Sequence, residues 1–297
     1  MLEEFKNAFS RYNNATIQLI IINVVVFIVL GILSVVGDIT GFSSGVSWVH
    51  LQFTIPSPIL EFIHRPWTIL TYAFMHGSLG HIFFNMLALY YFGRLFSEYL
   101  GSDKLIAVYV LGAIAGGALY LLVYNTVPFF AERNNVTMVG ASAAVDAIIV
   151  ATATQLQNYT FFLFLIGPVR IKYIAAITVL LSFLSVTGAN AGGNIAHLGG
   201  AAMGFIYMKQ LQSGSNWGIW ITATLDWIKG LFKPRTRVKV SYRNEQNRSD
   251  ARGRTAPQPS SALSQAELDA ILDKISAGGY ESLTKDEKEK LFNASKK

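Results

Sequence analysis

Of the 297 residues, 52% are hydrophobic and only 14% are charged, whereas soluble domains carry about 25% charged residues, so the class that fits is a polytopic membrane protein. Cysteine is absent, which excludes a disulfide framework, a thiolate nucleophile and a cysteine metal site. The formal charge of +6 is concentrated after Lys209, a distribution that suits a membrane surface and not nucleic acid.

Residues 1–14 read as a cytosolic N-terminal segment. A helix crossing the roughly 30 Å hydrocarbon core needs about 20 mostly apolar residues, fewer if it begins inside the protein. Six segments qualify, at Ala15–Val36, His81–Tyr99, Leu105–Val123, Ala141–Gln157, Ile171–Val186 and Ile195–Leu211. The expected fold is therefore an all-α polytopic bundle of six transmembrane helices over residues 15–211. The first segment is too long for a signal peptide and lacks a small-residue cleavage site, so it reads as a retained helix. Lys6, Arg11, Arg94, Lys104, Arg170, Lys172 and Lys209 fall on one side of this bundle, against Arg65 and Arg133 on the other. That asymmetry predicts a cell membrane location with both termini cytoplasmic, and the bacterial inner membrane is the setting it suits. The second, fourth and sixth helices then all enter from the outer face, which gathers His81, Asn85, Ser142 and His197 in one layer.

Past the bundle, residues 212–232 mix Trp217, Trp220 and Leu231 with Asp226 and Lys229, the pattern of an interfacial amphipathic helix. Residues 233–261 form a flexible basic linker rich in Arg, Ser, Asn and Pro. Residues 262–297 predict a small cytosolic helical hairpin. Ser264-Gln265-Ala266-Glu267 and Thr284-Lys285-Asp286-Glu287 are capping boxes, and Gly278 and Gly279 separate the two helices. Such a hairpin is too small to be an enzyme and can dock a cytosolic partner or serve as a passive appendage.

Ser142 lies in Val139-Gly140-Ala141-Ser142-Ala143-Ala144, where small residues also suit close helix packing. His197 opens the sixth helix, with Gly200 and Gly204 repeating the small-residue spacing. An ionisable side chain at membrane depth is costly and is kept mainly where it faces a bundle interior or a wet cavity. If both packing faces meet, hydroxyl and imidazole come together. His81 and Asn85 are four apart on one helical face, so two side-chain donors stand at the depth of the serine, as a carbonyl oxygen gaining charge requires. A metal reading of His76 and His81 is poorly supported: the spacing is five, and neither His-Glu-x-x-His nor a third, carboxylate ligand is present.

The chain resembles the rhomboid family of intramembrane serine proteases through His76 and His81 followed by Asn85, through Gly140-x-Ser142, and through Ala196-His197-x-x-Gly200-x-x-x-Gly204. The hairpin tail also looks like an appendage of some bacterial rhomboids. The resemblance implies Ser142 as nucleophile and His197 as its general base, with His81, Asn85 and the Ser142 backbone N–H as oxyanion hole. It implies His76 holding the long outer loop, Gly188–Gly193 as a lid, and a six-helix body without metal or cofactor. Partners would be membrane lipids and transmembrane protein substrates, cleaved in or near their membrane segments. Three positions depart from the family pattern: Ala143 for a glycine, Thr68 for the arginine after Trp67, and Asp146 for an aromatic residue. Asp146 lies at i+4 from Ser142, about 6 Å deeper, where a carboxylate could accept from the second imidazole nitrogen and complete a triad; the alternative is an aspartate bonded to water or another helix, or protonated by burial. The rival reading is a catalytically silent relative that binds membrane proteins and directs their fate. Such a relative would have lost Ser142 or His197, and both are present.

Overall fold

The computed structural model describes residues 14–133, 135–163, 166–232 and 265–294. The expectations for residues 1–13, for the basic linker over 233–261 and for the Ser264 cap lie outside these residues. The chain divides into two compact units, Met1–Pro234 and Arg235–Lys297.

In the first unit each of the six apolar segments coincides with helix. α1 is Ala15–Thr40, and the loop after it carries α2, Ser43–Phe53, and α3, Ile59–His64. The second segment is continuous helix in three parts: α4, Leu79–Ala88, a π turn at Leu89–Gly93, and α5, Arg94–Leu100. α6 is Ser102–Thr126, α7 Ser142–Gln155, α8 Ile171–Leu184, α9 Ala191–Gln212 and α10 Ile219–Phe232. By length and apolarity, α1 and α6 are the two helices among the described residues that could each cross a membrane unaided.

The centre of the unit is the trio α6, α7 and α9, joined through small residues. A Cβ at Gly200 would overlap the Ala143 carbonyl oxygen, and one at Gly204 the Ala147 carbonyl oxygen. On the other flank a Cβ at Gly199 would stand 2.7 Å from the Ala115 carbonyl oxygen, and one at Gly116 2.6 Å from Ala143 Cβ. Backbone therefore meets backbone, the close approach that small residues at four-residue spacing permit. Ala143, Ala144, Ala147 and Ala151 fill the seam and are buried.

Hydroxyl and amide side chains bind the periphery to this trio. Asn23 of α1, fully buried, donates to Leu19 O at 2.8 Å and to Tyr109 Oη at 3.2 Å. Tyr109 in turn donates to Ala73 O at 2.8 Å. In an apolar setting each such group needs a partner, because an unmet buried donor or acceptor costs about 1–3 kcal/mol.

Three local features differ from expectation. α9 begins at Ala191, four residues before the expected Ile195, so half of the expected glycine-rich lid is helical; Gly192 packs there against Tyr120. The stretch between α7 and α8 is a hairpin of β3, Thr160–Leu163, and β4, Gly167–Arg170. Phe161 anchors it, with its ring centroid 5.0 Å from Phe92. A further short pair, β1 (Ile55–Pro56) with β2 (Thr137–Met138), lies between the loop after α1 and the approach to α7.

The second unit is a helical hairpin of α11, Gln265–Gly278, and α12, Lys285–Ala294, with Ile271 and Leu283 buried. Gly279, at φ 75° and ψ 169°, supplies the positive-φ backbone that follows α11, a conformation that favours glycine. Glu287 Oε2 accepts from the Thr284 N–H at 2.7 Å and from the Thr284 hydroxyl at 2.9 Å, which is the capping box read from the sequence. Its other oxygen pairs with Lys274 Nζ at 2.9 Å and so joins the two helices.

Two outcomes follow from this packing. Gly200→Ala should destabilise the bundle by about 1–3 kcal/mol in equilibrium unfolding in mixed micelles, whereas Gly31→Ala, inside α1 with nothing within 4 Å of its Cβ, should leave stability unchanged or raise it by up to about 1 kcal/mol. The bonds from Lys274 and then Thr284 hold the half-buried Glu287 carboxyl down at about 2 from its usual 4.5. A depressed carboxyl stabilises above its unfolded value and loses that contribution as pH falls through the folded one. The opening free energy of the hairpin in the full chain, from amide exchange corrected for the intrinsic pH dependence of exchange, should accordingly be constant above about pH 4.5 and fall between 4.5 and 2, and Glu287→Gln should flatten that dependence.

Candidate active site

Ser142 is the first residue of α7, and the turn before it is fastened from several directions. β1 pairs with β2 in the register Ile55↔Met138 and Pro56↔Thr137. Ser57 Oγ accepts from the Asn135 and Val136 N–H groups, each at 3.0 Å, and Tyr120 donates to Val136 O at 3.1 Å. The Gly140 N–H donates to Tyr72 O at 3.0 Å, while the Tyr72 hydroxyl donates to Ala113 O of α6 at 2.8 Å. Gly140 has φ 135°, and a Cβ there would stand 2.8 Å from His81 Cε1 and Nε2, so both its conformation and its surroundings call for glycine. The chain emerges with the N–H groups of the first turn of α7 lacking intrahelical acceptors.

His197, on the second turn of α9, meets Ser142 across the Gly200 contact: its Nε2 lies 2.7 Å from Ser142 Oγ. Its Nδ1 has two neighbours. Ser182 Oγ of α8 is 3.2 Å away, within hydrogen-bond range, whereas Asp146 Oδ2 of α7 is 3.6 Å away, beyond it. The structure therefore brings Asp146 to the imidazole and gives the bonding distance to Ser182. Asp146 projects from the serine's own helix one turn deeper, whereas Ser182 faces the ring from the opposite helix.

His81 and Asn85 reach the same place from α4. Ser78 caps that helix by accepting from the His81 N–H at 3.1 Å. Asn85 is buried and donates one amide hydrogen to His81 O at 2.8 Å, which leaves the other for the cavity. Ser142, His197, His81, Asn85 and Asp146 line a common cavity of about 430 Å³ with Phe84, Val145, Ile149, Thr178 and Asn190. A second cavity of about 550 Å³, bordered by Tyr120, Tyr124, residues 136–139 and residues 189–193, adjoins it through His81 and Asn190. Among the described residues no group of three or more His, Asp or Glu has the placement to hold a metal ion.

The His76 ring lies edge-on to His81, with centroids 5.1 Å apart. Other groups hold the outer loop: Trp67 Nε1 donates to Gln52 O at 2.7 Å, and Thr71 Oγ1 to Phe53 O at 3.0 Å. Arg65 reaches Leu51 O and pairs with Glu61 at 2.7 Å. A guanidinium thus binds the loop backbone from two residues before Trp67, while Thr68, fully buried, turns its hydroxyl to Arg65 O. Ser182 and Thr178 of α8 have no place in the expectations from sequence, and Asn190 enters there only as part of the glycine-rich lid. A signal for the first two existed: Ile171, Ala175, Thr178 and Ser182 recur at helical spacing on α8, a helix otherwise covered with large apolar side chains.

Fold and site together define a helical membrane bundle with a serine–imidazole pair inside it. A rhomboid domain model matches residues 64–212, half of the chain, and the chain belongs to the rhomboid family, whose members are membrane-embedded. A family of unknown function (DUF6576) matches residues 260–297. Similar proteins include RHOMBOID-like protein 12, mitochondrial, of Arabidopsis thaliana, 31% identical over 50% of this chain and 47% of that protein. They also include Rhomboid protease GlpG of Salmonella paratyphi A and of Salmonella typhi, each 38% identical over 32% of this chain and 30% of the relative. The matched region therefore spans less than half the length of these relatives.

Gly140→Ala should push His81 away from Ser142 without disturbing the helices. Labelling of Ser142 by a fluorophosphonate is expected to slow by about 10²-fold, the cost of an ångström-scale misplacement, and the unfolding midpoint in micelles should fall as well, because alanine is strained at that φ.

Proposed function

We propose that this protein is an intramembrane serine endopeptidase that hydrolyses peptide bonds in or near the transmembrane segments of other membrane proteins. The 2.7 Å contact between His197 Nε2 and Ser142 Oγ carries the reading. His197 takes the serine proton as Oγ attacks the substrate carbonyl carbon, and the C–O bond that forms gives a tetrahedral oxyanion. His81, the second Asn85 hydrogen and the Ser142 N–H stabilise that charge. When the C–N bond breaks, His197 passes the proton to the departing amine. Water then repeats the sequence on the acyl-enzyme and frees Ser142. Asp146 assists as a polar neighbour of the imidazole, 3.6 Å from Nδ1.

The membrane arrangement is part of the same proposal: six crossing helices in a bacterial inner membrane, with both termini and the hairpin in the cytoplasm. α7 and α8 have 14 residues each, about 21 Å of helix, less than the roughly 30 Å core. α7 therefore starts below the outer surface, with Ser142 within reach of water through the second cavity and of a substrate from the lipid side. A helical substrate hides its carbonyls, so cleavage favours segments weakened by small or helix-breaking residues. The hairpin is suited to docking a cytosolic partner.

A fluorophosphonate probe tests the reading on folded, full-length protein. Labelling should occur on the wild type and disappear in Ser142→Ala, with a loss of at least about 10²-fold in His197→Ala. Failure of folded wild-type protein to label would favour the silent, membrane-protein-binding relative.

A further inference from the structure

If His197 is the base, its Nε2 must present a lone pair to the Ser142 hydroxyl, so in the neutral imidazole the proton sits on Nδ1. That N–H points into a buried part of the bundle and needs an acceptor. Ser182 Oγ is the group at bonding distance, 3.2 Å away, against 3.6 Å for the Asp146 carboxyl. Ser182 is also out of character for its helix. It is 6% exposed, while Leu181, Phe183 and Leu184 beside it are 58%, 64% and 67% exposed. In a run whose neighbours all face outward, a hydroxyl turned inward onto a single imidazole nitrogen serves that nitrogen.

We propose that Ser182 is the positioning residue of this site: its hydroxyl accepts the His197 Nδ1–H and holds the imidazole in the tautomer and orientation that expose Nε2 to Ser142. The inference rests on the reading of His197 as general base. It assigns the orienting bond to α8, opposite the serine's own helix, and leaves Asp146 a neighbour without that bond. The two contacts, at 2.7 Å and 3.2 Å, place the ring between one serine that it activates and another that holds it.

Two measurements on the full-length protein in micelles test this. Ring ¹⁵N spectra of histidine-labelled protein, with His197 assigned by its substitution, report the tautomer; the rate of fluorophosphonate labelling reports activation of Ser142. The wild type should show a single Nδ1–H tautomer. Ser182→Ala should give a mixture and slow labelling by about tenfold or more. Ser182→Thr keeps the hydroxyl and should preserve both readouts, whereas the similarly shaped Ser182→Val should behave like the alanine variant. This pair separates loss of the bond from loss of packing. Asp146→Asn should leave the tautomer as in the wild type. The proposal is overturned if Ser182→Val retains a single Nδ1–H tautomer, if Ser182→Thr is as impaired as Ser182→Val, or if Asp146→Asn alone mixes the tautomers. Because the tautomer is read without turnover, a wild type that shows the Ser182-dependent tautomer but does not label would count against the protease reading and leave the orienting bond standing.

Discussion

The separation of α7 and α9 is set where Gly200 and Gly204 meet the carbonyls of Ala143 and Ala147, and the site can exist only at that separation. Ala143 follows Ser142 directly, and Gly200 lies one turn beyond His197. A side chain at either glycine would force the helices apart before any group in the cavity had changed. Lipid gives apolar helices little hydrophobic reason to associate, so van der Waals contact between backbones has to carry the association. That contact also transmits position: with α6 closing the other flank of the trio, the serine and the histidine have little freedom to drift.

A second constraint works on the non-helical chain. The turn before Ser142 is irregular backbone whose polar groups find no partners in a regular helix or sheet ladder, so they must be met one by one. Tyrosines do much of this: Tyr120 donates to Val136 O within the turn, while the hydroxyls of Tyr109 and Tyr72 take the carbonyls of Ala73 and Ala113 elsewhere in the core. Tyr72 is used twice, because its own carbonyl accepts from Gly140 while its hydroxyl holds α6. Each tyrosine combines a large apolar body with one polar tip, which lets it fill the core and fasten an irregular segment together.

Much of this is legible in the sequence because the apolar runs are long and the polar residues inside them few. The segments from Ala15 to Leu211 coincide with helices, and Gly140, Ser142, His197, Gly200 and Gly204 are legible through the resemblance to the rhomboid family that they carry together. What stays hidden depends on partners distant in sequence. Ser182 is one hydroxyl in an apolar run until the 15-residue separation from His197 closes in three dimensions. Asp146 is placed on the correct face by its spacing, but spacing does not measure the last half ångström that separates a neighbour from a bonded partner. The β3–β4 hairpin escapes a reading by composition because its aromatic run looks like a buried segment while its pairing depends on a turn.

The wide turn at Leu89–Gly93, which begins one helical turn after Asn85, changes how α4 and α5 relate. Each residue of an α-helix advances about 100°, and a π turn adds one residue to the circuit, so the two halves are out of phase by that angle. His81 and Asn85 can thus look into the cavity while Leu95, Phe96 and Ser97 of α5 are buried and Gly93 packs against Thr16 of α1. The helix behaves as two cams on one shaft, each cut for a different follower. Removing a single residue from the wide turn would restore a regular helix and leave one of the two faces turned toward the lipid.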